Sequence, residues 1–347
     1  MSPRIVHGGR DAGPRPRVDA STNANPLGPS PIAREAVALA ELGPYPDPDY
    51  LEVRGALADH AGVDVDQVVV GAGATELIHR LVQVAGGPVV VEGVTFGEYA
   101  GAADAAGVPV RRASDPAELL AAMDGAALAF VASPGNPDGR IRPAERCAEV
   151  AERARATGTT VVWDLAYAPF VDAEVPVPDG AVRLHAPNKI HGCTGLRAGW
   201  LTAPAPLAAR LRDAAVSWLV SAPAGAVLTA TTTPAAERWV TQVRPQLTAW
   251  RDRLTADLAG LGLTVHPGDA PFVVVEVPDA ARRAAELRER HAVKVRDTTS
   301  LGRPEAWRLA AQPPADHDVL LAAIADVVAD LRDPDAELDP DPTGGAR

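Results

Sequence analysis

The feature that most constrains the fold is a series of short, uniformly apolar runs that alternate with helical patterns from residue 68 onwards. Strands that are covered on both faces lose the alternation of apolar and polar residues, so these runs predict a parallel or mixed sheet with helices on each side. The sequence therefore predicts a layered α/β domain. The runs are "VVV" at 68, "PVVVE" at 88, "VPVRRA" at 108, "LAFVAS" at 128, "TVVWD" at 160, "AVRLHA" at 181 and "GWLTA" at 199.

A second pattern follows a helical stretch that runs from about 204 to 262. The runs "LTVHP", "PFVVVEVP", "AVKVR" and "WRLAA", with helices between them, predict a small α+β domain with a largely antiparallel sheet. We expect four segments, with part of the N-terminal segment joining the small domain. These are an N-terminal arm (1–30), a large domain (31–235), a small C-terminal domain (236–332) and a disordered acidic tail (333–347).

The composition argues against several classes of partner. The chain has 347 residues, of which 47% are apolar, and a formal net charge of −12. No cluster of Lys or Arg interrupts this acidic balance, so we expect neither nucleic acid nor an anionic membrane as a partner. No run reaches the roughly 18 apolar residues of a membrane span, and the N-terminus lacks a signal-peptide core, which predicts a cytoplasmic protein. Cys147 and Cys193 lack metal-ligand spacing, so we expect no metal.

The stretch "VVVGAGATELIHRL" at 68–81 runs from a strand through a Gly-x-Gly turn into a helix. Such a turn at a helix N-terminus binds anions, and Glu92 stands about 20 residues further on, as in a dinucleotide-binding fold. However, Glu76 occupies the position where that fold needs a small residue. A dinucleotide-dependent dehydrogenase is therefore a rival interpretation that leaves the other strand-end motifs unexplained.

Lysine occurs only at Lys189 and Lys294, although the chain has 33 basic residues. Lys189 lies just after a predicted strand and before a glycine-bearing turn. A partly desolvated lysine near other cations becomes nucleophilic, so Lys189 is a candidate for a Schiff base with a carbonyl group. On spacing alone a solvated loop lysine is an equally good interpretation. Lys294 alternates within "AVKVR" and is expected on a strand surface.

Taken together, the motifs resemble those of fold-type I pyridoxal-phosphate-dependent enzymes of the class I/II aminotransferase family. The resemblance extends from about residue 20 to 330 and is strongest to the group of histidinol-phosphate aminotransferases and threonine-phosphate decarboxylases of the cobalamin pathway. It implies a three-layer αβα large domain, a small α+β domain, and pyridoxal 5'-phosphate as cofactor. The motifs are "NANPLGPSP", "YPDPDYLEVRGALADHAGV", "GAGATELI", "TFGEY", "SPGNPDG", "WDLAY", "NKIHGCTGLRAGW" and "RLA".

The resemblance also implies the residues that hold the cofactor. Lys189 matches the lysine that forms the Schiff base, and Asp164 matches the carboxylate that bonds the pyridine nitrogen and keeps it protonated. The remaining expected contacts are Gly73, Ala74, Thr75, Asn188 and Arg197 at the phosphate, Phe96 stacked on the ring, Asn136 and Tyr167 at the ring hydroxyl, and Tyr45 at the phosphate of a neighbouring subunit. Tyr45 thus implies a homodimer with shared active sites, and Tyr167 is expected to share in catalysis with Lys189 and Asp164.

For the substrate, Arg308 matches the arginine that binds the α-carboxylate, and Asn23 and Asn25 lie where the family's N-terminal arm covers the substrate. The chain departs from the family at the segment before Lys189, where 186–188 reads Ala-Pro-Asn in place of hydroxyl residues. It also has Leu165 for an acidic residue, Asp-Gly at 138–139 for Thr-Gly, and His191 for an aromatic residue. These departures leave the chemistry intact and place the substrate in doubt. We expect His185 and His191 to be packing residues.

We therefore expect an aminotransferase-type enzyme that acts at the α-carbon of a phosphorylated or small polar amino acid. Decarboxylation of threonine phosphate in cobalamin biosynthesis is the alternative within the same family. An alternative from another class is a non-catalytic relative that only binds pyridoxal 5'-phosphate. That reading predicts the loss of Lys189 or Asp164, and both are present.

Overall fold

The computed structural model of the chain describes residues 7–331, and the strands in this part form three sheets. The predicted tail 333–347 and the first residues of the predicted arm lie outside the described residues. In chain order the strands are β1 (Val18–Asp19), β2 (Val68–Gly71), β3 (Val89–Glu92), β4 (Val110–Ala113), β5 (Leu128–Ala132), β6 (Thr160–Asp164), β7 (Val182–His185), β8 (Gly199–Thr202), β9 (Val265–Pro267), β10 (Phe272–Glu276), β11 (Val293–Lys294), β12 (Arg296–Asp297) and β13 (Ala306–Ala310).

The helices lie between these strands in the alternation that the sequence predicts. Ser30 caps the first helix, where its side chain accepts a hydrogen bond from the Ala33 N–H, as the Ser-Pro pair predicts. The α-helices are α1 (Pro31–Leu39), α2 (Leu51–Ala61), α3 (Ala74–Ala85), α4 (Glu98–Ala106), α5 (Pro116–Ala122), α6 (Ala144–Thr157), α7 (Ala205–Asp213), α8 (Ala222–Ala230), α9 (Pro234–Gly260), α10 (Ala280–His291) and α11 (Pro314–Val327).

The large sheet has seven strands in the order β2-β8-β7-β6-β5-β3-β4. Strands β3 to β7 run parallel to one another. Strand β8 runs antiparallel to both of its neighbours, β7 and β2. The prediction of a parallel or mixed sheet is therefore confirmed. The carboxyl ends of β2, β5, β6 and β7 therefore lie along the same edge of the large sheet. Ligands bind at this edge in sheets of this kind.

Helices cover both faces of the large sheet and make the domain three layers thick. On one face, the α3 residues Leu77, Ile78 and Leu81 pack with Tyr99 of α4 and Leu211 of α7 against the sheet. The core on the other face is built from α5 and α6. Its members include Leu119, Cys147, Val150 and Trp163. Burial on both faces explains why these strands read as continuous apolar runs.

The small sheet has four antiparallel strands in the order β12-β13-β10-β9, as predicted. It packs against α9, α10 and α11 through a core that includes Leu258, Val275, Leu287 and Ile324. The run "AVKVR" does not form one strand. Its first half, β11, pairs in parallel with β1 of the N-terminal segment, and its second half, β12, joins the small sheet.

The N-terminal segment lies across the small sheet. Besides the β1–β11 pairing, the Ala310 N–H donates to the carbonyl of Ala20, and Lys294 donates to the carbonyl of Gly9 and to Asp11. Lys294 thus ties the N-terminal segment to β11. The predicted domain boundary at 235 falls at the start of α9, a helix of 27 residues that contributes to the cores of both parts. The boundary stays a prediction.

Within residues 7–331, no helix is both long and apolar enough to cross a lipid bilayer. The cytoplasmic location stays a prediction of the sequence. Cys147 and Cys193 are buried and unbridged, and burial raises the pKa of the Cys193 thiol to about 11. Neither cysteine is placed to react as a thiolate.

Candidate active site

A cavity of about 440 Å³ opens at the carboxyl ends of the large-sheet strands, between the two sheets. Its volume suits a small cofactor with a substrate. Eleven of the residues that the sequence singles out line this cavity: Asn23, Ala74, Thr75, Phe96, Asn136, Asp164, Tyr167, Asn188, Lys189, Arg197 and Arg308. They come from seven separate segments of the chain, which the sheet order brings together.

Lys189 follows β7 and lies partly buried in the cavity. Its Nζ donates a hydrogen bond of 2.7 Å to the Tyr167 hydroxyl and lies 4.2 Å from the centre of the Tyr167 ring. Burial acts to raise the pKa of Tyr167, but the charges of Lys189 and Arg308 outweigh it, and the net shift is downwards. Lys189 and Tyr167 therefore form a hydrogen-bonded pair in the cavity lining.

Asp164 ends β6 at the centre of the large sheet and is 5% exposed. Its Oδ2 accepts a hydrogen bond of 2.7 Å from the Tyr99 hydroxyl, and its Oδ1 accepts one of 2.8 Å from the Ala166 N–H. Burial raises the pKa of this carboxyl, whereas the two hydrogen bonds and the charge of Lys189 oppose that rise. Tyr99 lies in the "TFGEY" motif, although no sequence pattern assigns it a role.

The turn between β2 and α3 presents helix N–H groups to the cavity. Gly73 has a φ of +85°, and a Cβ there would lie 2.6 Å from Nη2 of Arg197, so the guanidinium lies directly over the turn. No side chain caps α3 at Gly73. The N–H groups of Ala74 and Thr75, at the start of the helix, therefore stay available for an anion, beside a cation.

Asn188 offers a further polar group at the same end of the cavity. It is 3% exposed, and its Oδ1 has no hydrogen-bond partner. A buried carbonyl oxygen without a partner is costly unless a donor satisfies it. Because Oδ1 only accepts hydrogen bonds, a contact with a phosphate would come from the Nδ2 group of Asn188. With the α3 N-terminus and Arg197, that group would supply a donor for the phosphate of pyridoxal 5'-phosphate, even though the hydroxyl residues expected at 186–188 are absent.

Phe96 and Asn136 line the same cavity as Lys189 and Asp164. Phe96 is half-buried and contacts Tyr99 edge-on at 5.6 Å between ring centres, so one of its faces is free to stack on a planar ring. Asn136 lies in the loop after β5, in which the bonds 133–134 and 136–137 are cis. Its Oδ1 accepts a hydrogen bond of 2.6 Å from Arg308.

Arg308 reaches the cavity from β13 of the small sheet. Besides Asn136, its guanidinium donates to the carbonyl of Ser21 at 2.8 Å, and its Nε has no partner. Burial lowers the pKa of Arg308 to about 10, so the side chain stays charged at neutral pH. A buried cation with a free donor is suited to an anionic substrate.

Besides Tyr99, the sequence gives no sign of two cationic or titratable side chains that line the cavity. Arg296 of β12 lies directly opposite Arg308 in the small sheet, and His7 of the N-terminal segment lies near Phe96 and bonds Glu98. The pairing of β12 with β13 brings Arg296 to the site, and no local pattern shows such a pairing. The sequence around His7 has no periodic apolar pattern, so nothing in it predicts a site residue there.

Three predicted residues do not line the cavity: Gly73, Asn25 and Tyr45. Gly73 lies in the turn against the Arg197 guanidinium. The Asn25 side chain donates to the Ile190 carbonyl at 2.9 Å, and its N–H donates to the Lys189 carbonyl. It therefore holds the lysine loop in place. Tyr45 is 79% exposed and packs on Trp218, with 4.6 Å between ring centres. Within one chain it is remote from the cavity lining.

The histidines beside Lys189 are engaged in packing. His185 stacks on Trp200 with 4.0 Å between ring centres, and burial lowers its pKa to about 3. His191 stacks on Trp239 and bonds the Ser30 hydroxyl at 2.9 Å, and burial lowers its pKa to about 4. Both rings are therefore neutral at physiological pH.

The dinucleotide interpretation does not fit this geometry. Glu92, the residue that a ribose would need, forms an ion pair of 3.2 Å with Arg142. Glu76 accepts a hydrogen bond from the Ala72 N–H and forms an ion pair of 2.7 Å with Arg80. Glu76 thus closes the turn in the place where the dinucleotide fold brings helix and strand together.

The model for the family described as "Aminotransferase class I and II" matches residues 17–324. The chain belongs to this family. The predictions of a class I/II aminotransferase fold, of an enzyme of that class and of pyridoxal 5'-phosphate as its cofactor are therefore confirmed.

Several of the proteins that this chain resembles are named histidinol-phosphate aminotransferase. A histidinol-phosphate aminotransferase of Ruegeria pomeroyi is 32% identical over 283 residues, which cover 76% of this chain and 78% of the relative. The structure of a histidinol-phosphate aminotransferase from Sinorhizobium meliloti, in complex with pyridoxal-5'-phosphate, has a TM-score of 0.80 at 25% identity and covers 89% of this chain and 90% of its own. An L-threonine-O-3-phosphate decarboxylase from Porphyromonas gingivalis shares the fold, with a TM-score of 0.80 at 21% identity, covering 90% of this chain and 99% of its own.

The contact between Gly73 and Arg197 yields a test of the phosphate end. In Gly73→Ala, the new Cβ displaces the guanidinium and strains a backbone with φ of +85°, so the affinity for pyridoxal 5'-phosphate should fall about tenfold or more. Equilibrium titration of the cofactor-free chain measures this. Gly260→Ala, at an open position in α9, is the control and should leave the affinity unchanged. Equal affinities for the Gly73 and Gly260 variants would contradict the assignment.

Proposed function

We propose that this aminotransferase acts on a phosphorylated amine or amino acid, with Lys189 as the residue that carries and transfers the proton. The observation that carries the proposal is a pair of buried arginines, Arg296 and Arg308, that face the cavity together. The names of its relatives support the same substrate class, because several are histidinol-phosphate aminotransferases.

Arg296 and Arg308 are partners in the antiparallel pairing of β12 with β13, so their side chains lie on the same face of the sheet. Each is 5% exposed. Like charges directly opposite each other destabilise a sheet, and burial increases the cost. An anion between or beside the two guanidinium groups offsets that cost. Arg296 also donates to the Ser300 hydroxyl at 2.7 Å, which fixes its position.

The two arginines differ in what they can bind. Arg308 is tied to Asn136 and to the Ser21 carbonyl, so it lies close to the predicted cofactor position and suits a carboxylate on the reacting carbon. Arg296 lies on the outer strand of the sheet and suits a more distant phosphate. His7 lines the same cavity, where its Nε2 is bonded to Glu98.

When bound, pyridoxal 5'-phosphate supplies an electron sink for the bond that breaks at the substrate carbon. The residues of the chain do the rest. Asp164 would hold a proton on the ring nitrogen, and Tyr167 and Asn136 would bond the ring hydroxyl. Lys189, bonded to Tyr167 at 2.7 Å, moves the proton at the reacting carbon.

Lysine labelling tests the central role of Lys189. After reduction of the cofactor-loaded chain with borohydride, peptide mapping should find the pyridoxyl label on the Lys189 peptide. Lys189→Ala should lose the label and about a thousandfold in kcat, because the proton carrier is gone. Lys294→Arg, which removes the other lysine but keeps a cation opposite Asp11, is the matched control and should keep label and turnover. A label that persists in Lys189→Ala would refute the proposal.

A second candidate function is decarboxylation of threonine phosphate. The observation that favours it is the arginine pair itself, because threonine phosphate carries both a carboxylate and a phosphate, whereas histidinol phosphate carries no carboxylate. Incubation of the loaded enzyme with each compound and a 2-oxo acid distinguishes the two. Amino transfer to the oxo acid supports the first function, and release of CO2 without amino transfer supports the second.

The role of Arg296 is tested by Arg296→Gln. Loss of a charge-assisted bond of about 1.5–3 kcal/mol should lower kcat/KM for the phosphorylated substrate about 10- to 100-fold, mainly through KM. Turnover of the same amine without its phosphate should change little. Arg303→Gln is the control, because Arg303 pairs with Glu276 outside the cavity. Equal losses on both substrates would show that Arg296 is only structural.

We also propose that the chain forms a homodimer with shared sites. Large apolar side chains are exposed around α1, α2 and the segment before α8, and such patches mark interfaces. They include Leu39, Leu42, Tyr45, Leu51, Val216 and Trp218. Arg197 is likewise exposed, so the phosphate end of the cavity is open to a partner. In this arrangement the partner's Tyr45 completes the phosphate site.

Mixing two inactive variants tests this sharing. A Lys189→Ala chain lacks the proton carrier but keeps Tyr45, whereas a Tyr45→Ala chain keeps Lys189. If Tyr45 acts across the interface, each mixed dimer has one intact site, so activity should rise well above that of either variant alone. The rise is measured after the two variants are unfolded and refolded together. No rise would place Tyr45 outside the partner's site.

A further inference from the structure

Tyr99 is a buried polar residue that the proposed function leaves without a role. It lies in the first turn of α4, three residues after Phe96, and is fully buried. Its hydroxyl donates to Oδ2 of Asp164 at 2.7 Å. The bond joins residues that are 65 positions apart in the sequence.

Two aromatic rings fix the orientation of the phenol. The ring of Tyr99 stacks on Phe130 of β5 with 4.7 Å between centres and 9° between planes, and Phe96 contacts it edge-on. Such pairs stabilise a defined ring orientation. The hydroxyl is therefore directed at the carboxylate by packing as well as by the hydrogen bond.

The pKa shifts of Tyr99 and Asp164 indicate which of the two side chains carries the proton. Burial, and then the nearby charge of Asp164, raise the pKa of Tyr99 well above its usual value, so the phenol keeps its proton and acts as the donor. For Asp164, burial raises the pKa and the bond from Tyr99 is the largest opposing effect. Removing the phenol would leave Oδ2 with one partner fewer in a buried site.

We propose that Tyr99 is a positioning residue, which holds Asp164 ionised and oriented so that its carboxylate can bond the ring nitrogen of the cofactor. Tyr99 acts through Asp164 and has no contact of its own with the reacting atoms. The inference rests on the proposed role of Asp164 at the ring nitrogen. It extends the site by one residue, which supports the carboxylate of Asp164.

If Tyr99 acts through the ring nitrogen, its removal should affect only ligands that contain that nitrogen. The affinity of the cofactor-free chain is measured for pyridoxal 5'-phosphate and for an analogue in which carbon replaces the ring nitrogen. Tyr99→Phe should reduce the preference for the natural cofactor over the analogue roughly 10- to 100-fold, as expected for a lost bond to a charged group. A purely structural role would weaken both ligands equally and leave the preference unchanged.

A double-variant cycle separates this inference from the proposal on which it rests. Asp164→Asn should abolish the preference, and adding Tyr99→Phe to it should cause no further loss. Tyr50→Phe is the matched control: its hydroxyl bonds the Val220 backbone outside the cavity, so the preference should stay unchanged. If Asp164→Asn abolishes the preference and Tyr99→Phe does not lower it, this inference fails alone. If Asp164→Asn itself keeps the preference, the role of Asp164 fails and the inference fails with it.

Circular dichroism confirms that each variant is folded before titration. Should Tyr99→Phe not fold, Phe130→Leu takes its place, because it keeps the hydroxyl but removes the ring that orients it. It should lower the preference in the same direction by a smaller factor. An unchanged preference in Phe130→Leu would then overturn the inference.

Discussion

The site depends on one hydrogen bond, between Arg308 of the small sheet and Asn136 of the loop after β5. A buried guanidinium is stable only with partners, and Asn136 and the Ser21 carbonyl provide them. The bond therefore fixes the small sheet against the large one at the cavity. It sets the distance between a group that can bind a substrate anion and the residues around Lys189. Backbone bonds from Asp269 and Ala270 to the Gly139 carbonyl join the same two parts, but among these contacts only the Arg308 bond involves a side chain of the cavity.

The general layout of the fold follows from the sequence because it depends on local patterns. Continuous apolar runs such as β5 and β6 require cover on both faces, and the carboxyl ends of parallel strands share an edge. Asp164 and Lys189 follow neighbouring strands, so their proximity is implied once the sheet is parallel. The resemblance to aminotransferases adds Arg308, which no local pattern assigns to the cavity.

The remaining features depend on contacts between distant parts of the chain. Arg296 becomes a partner of Arg308 only through the register of β12 on β13, which splits "AVKVR" between two sheets. Tyr99 meets Asp164 because α4 packs on the face of the sheet behind β6. Asn25 reads like a substrate residue but instead holds the lysine loop. Side-chain roles of this kind are set by packing, and short sequence patterns carry no information about them.

The pairing of β1 with β11, described above, has a consequence for biosynthesis. The cavity takes Asn23 from the start of the chain and Arg308 from close to its end, and strands with such sequence separation close late in folding. A nascent chain that has emerged only as far as α10 has its large sheet but neither β11 nor β13 on which the N-terminal segment can lie. A complete pocket therefore requires the chain through β13, and a polypeptide that ends after α10 would lack one wall of it.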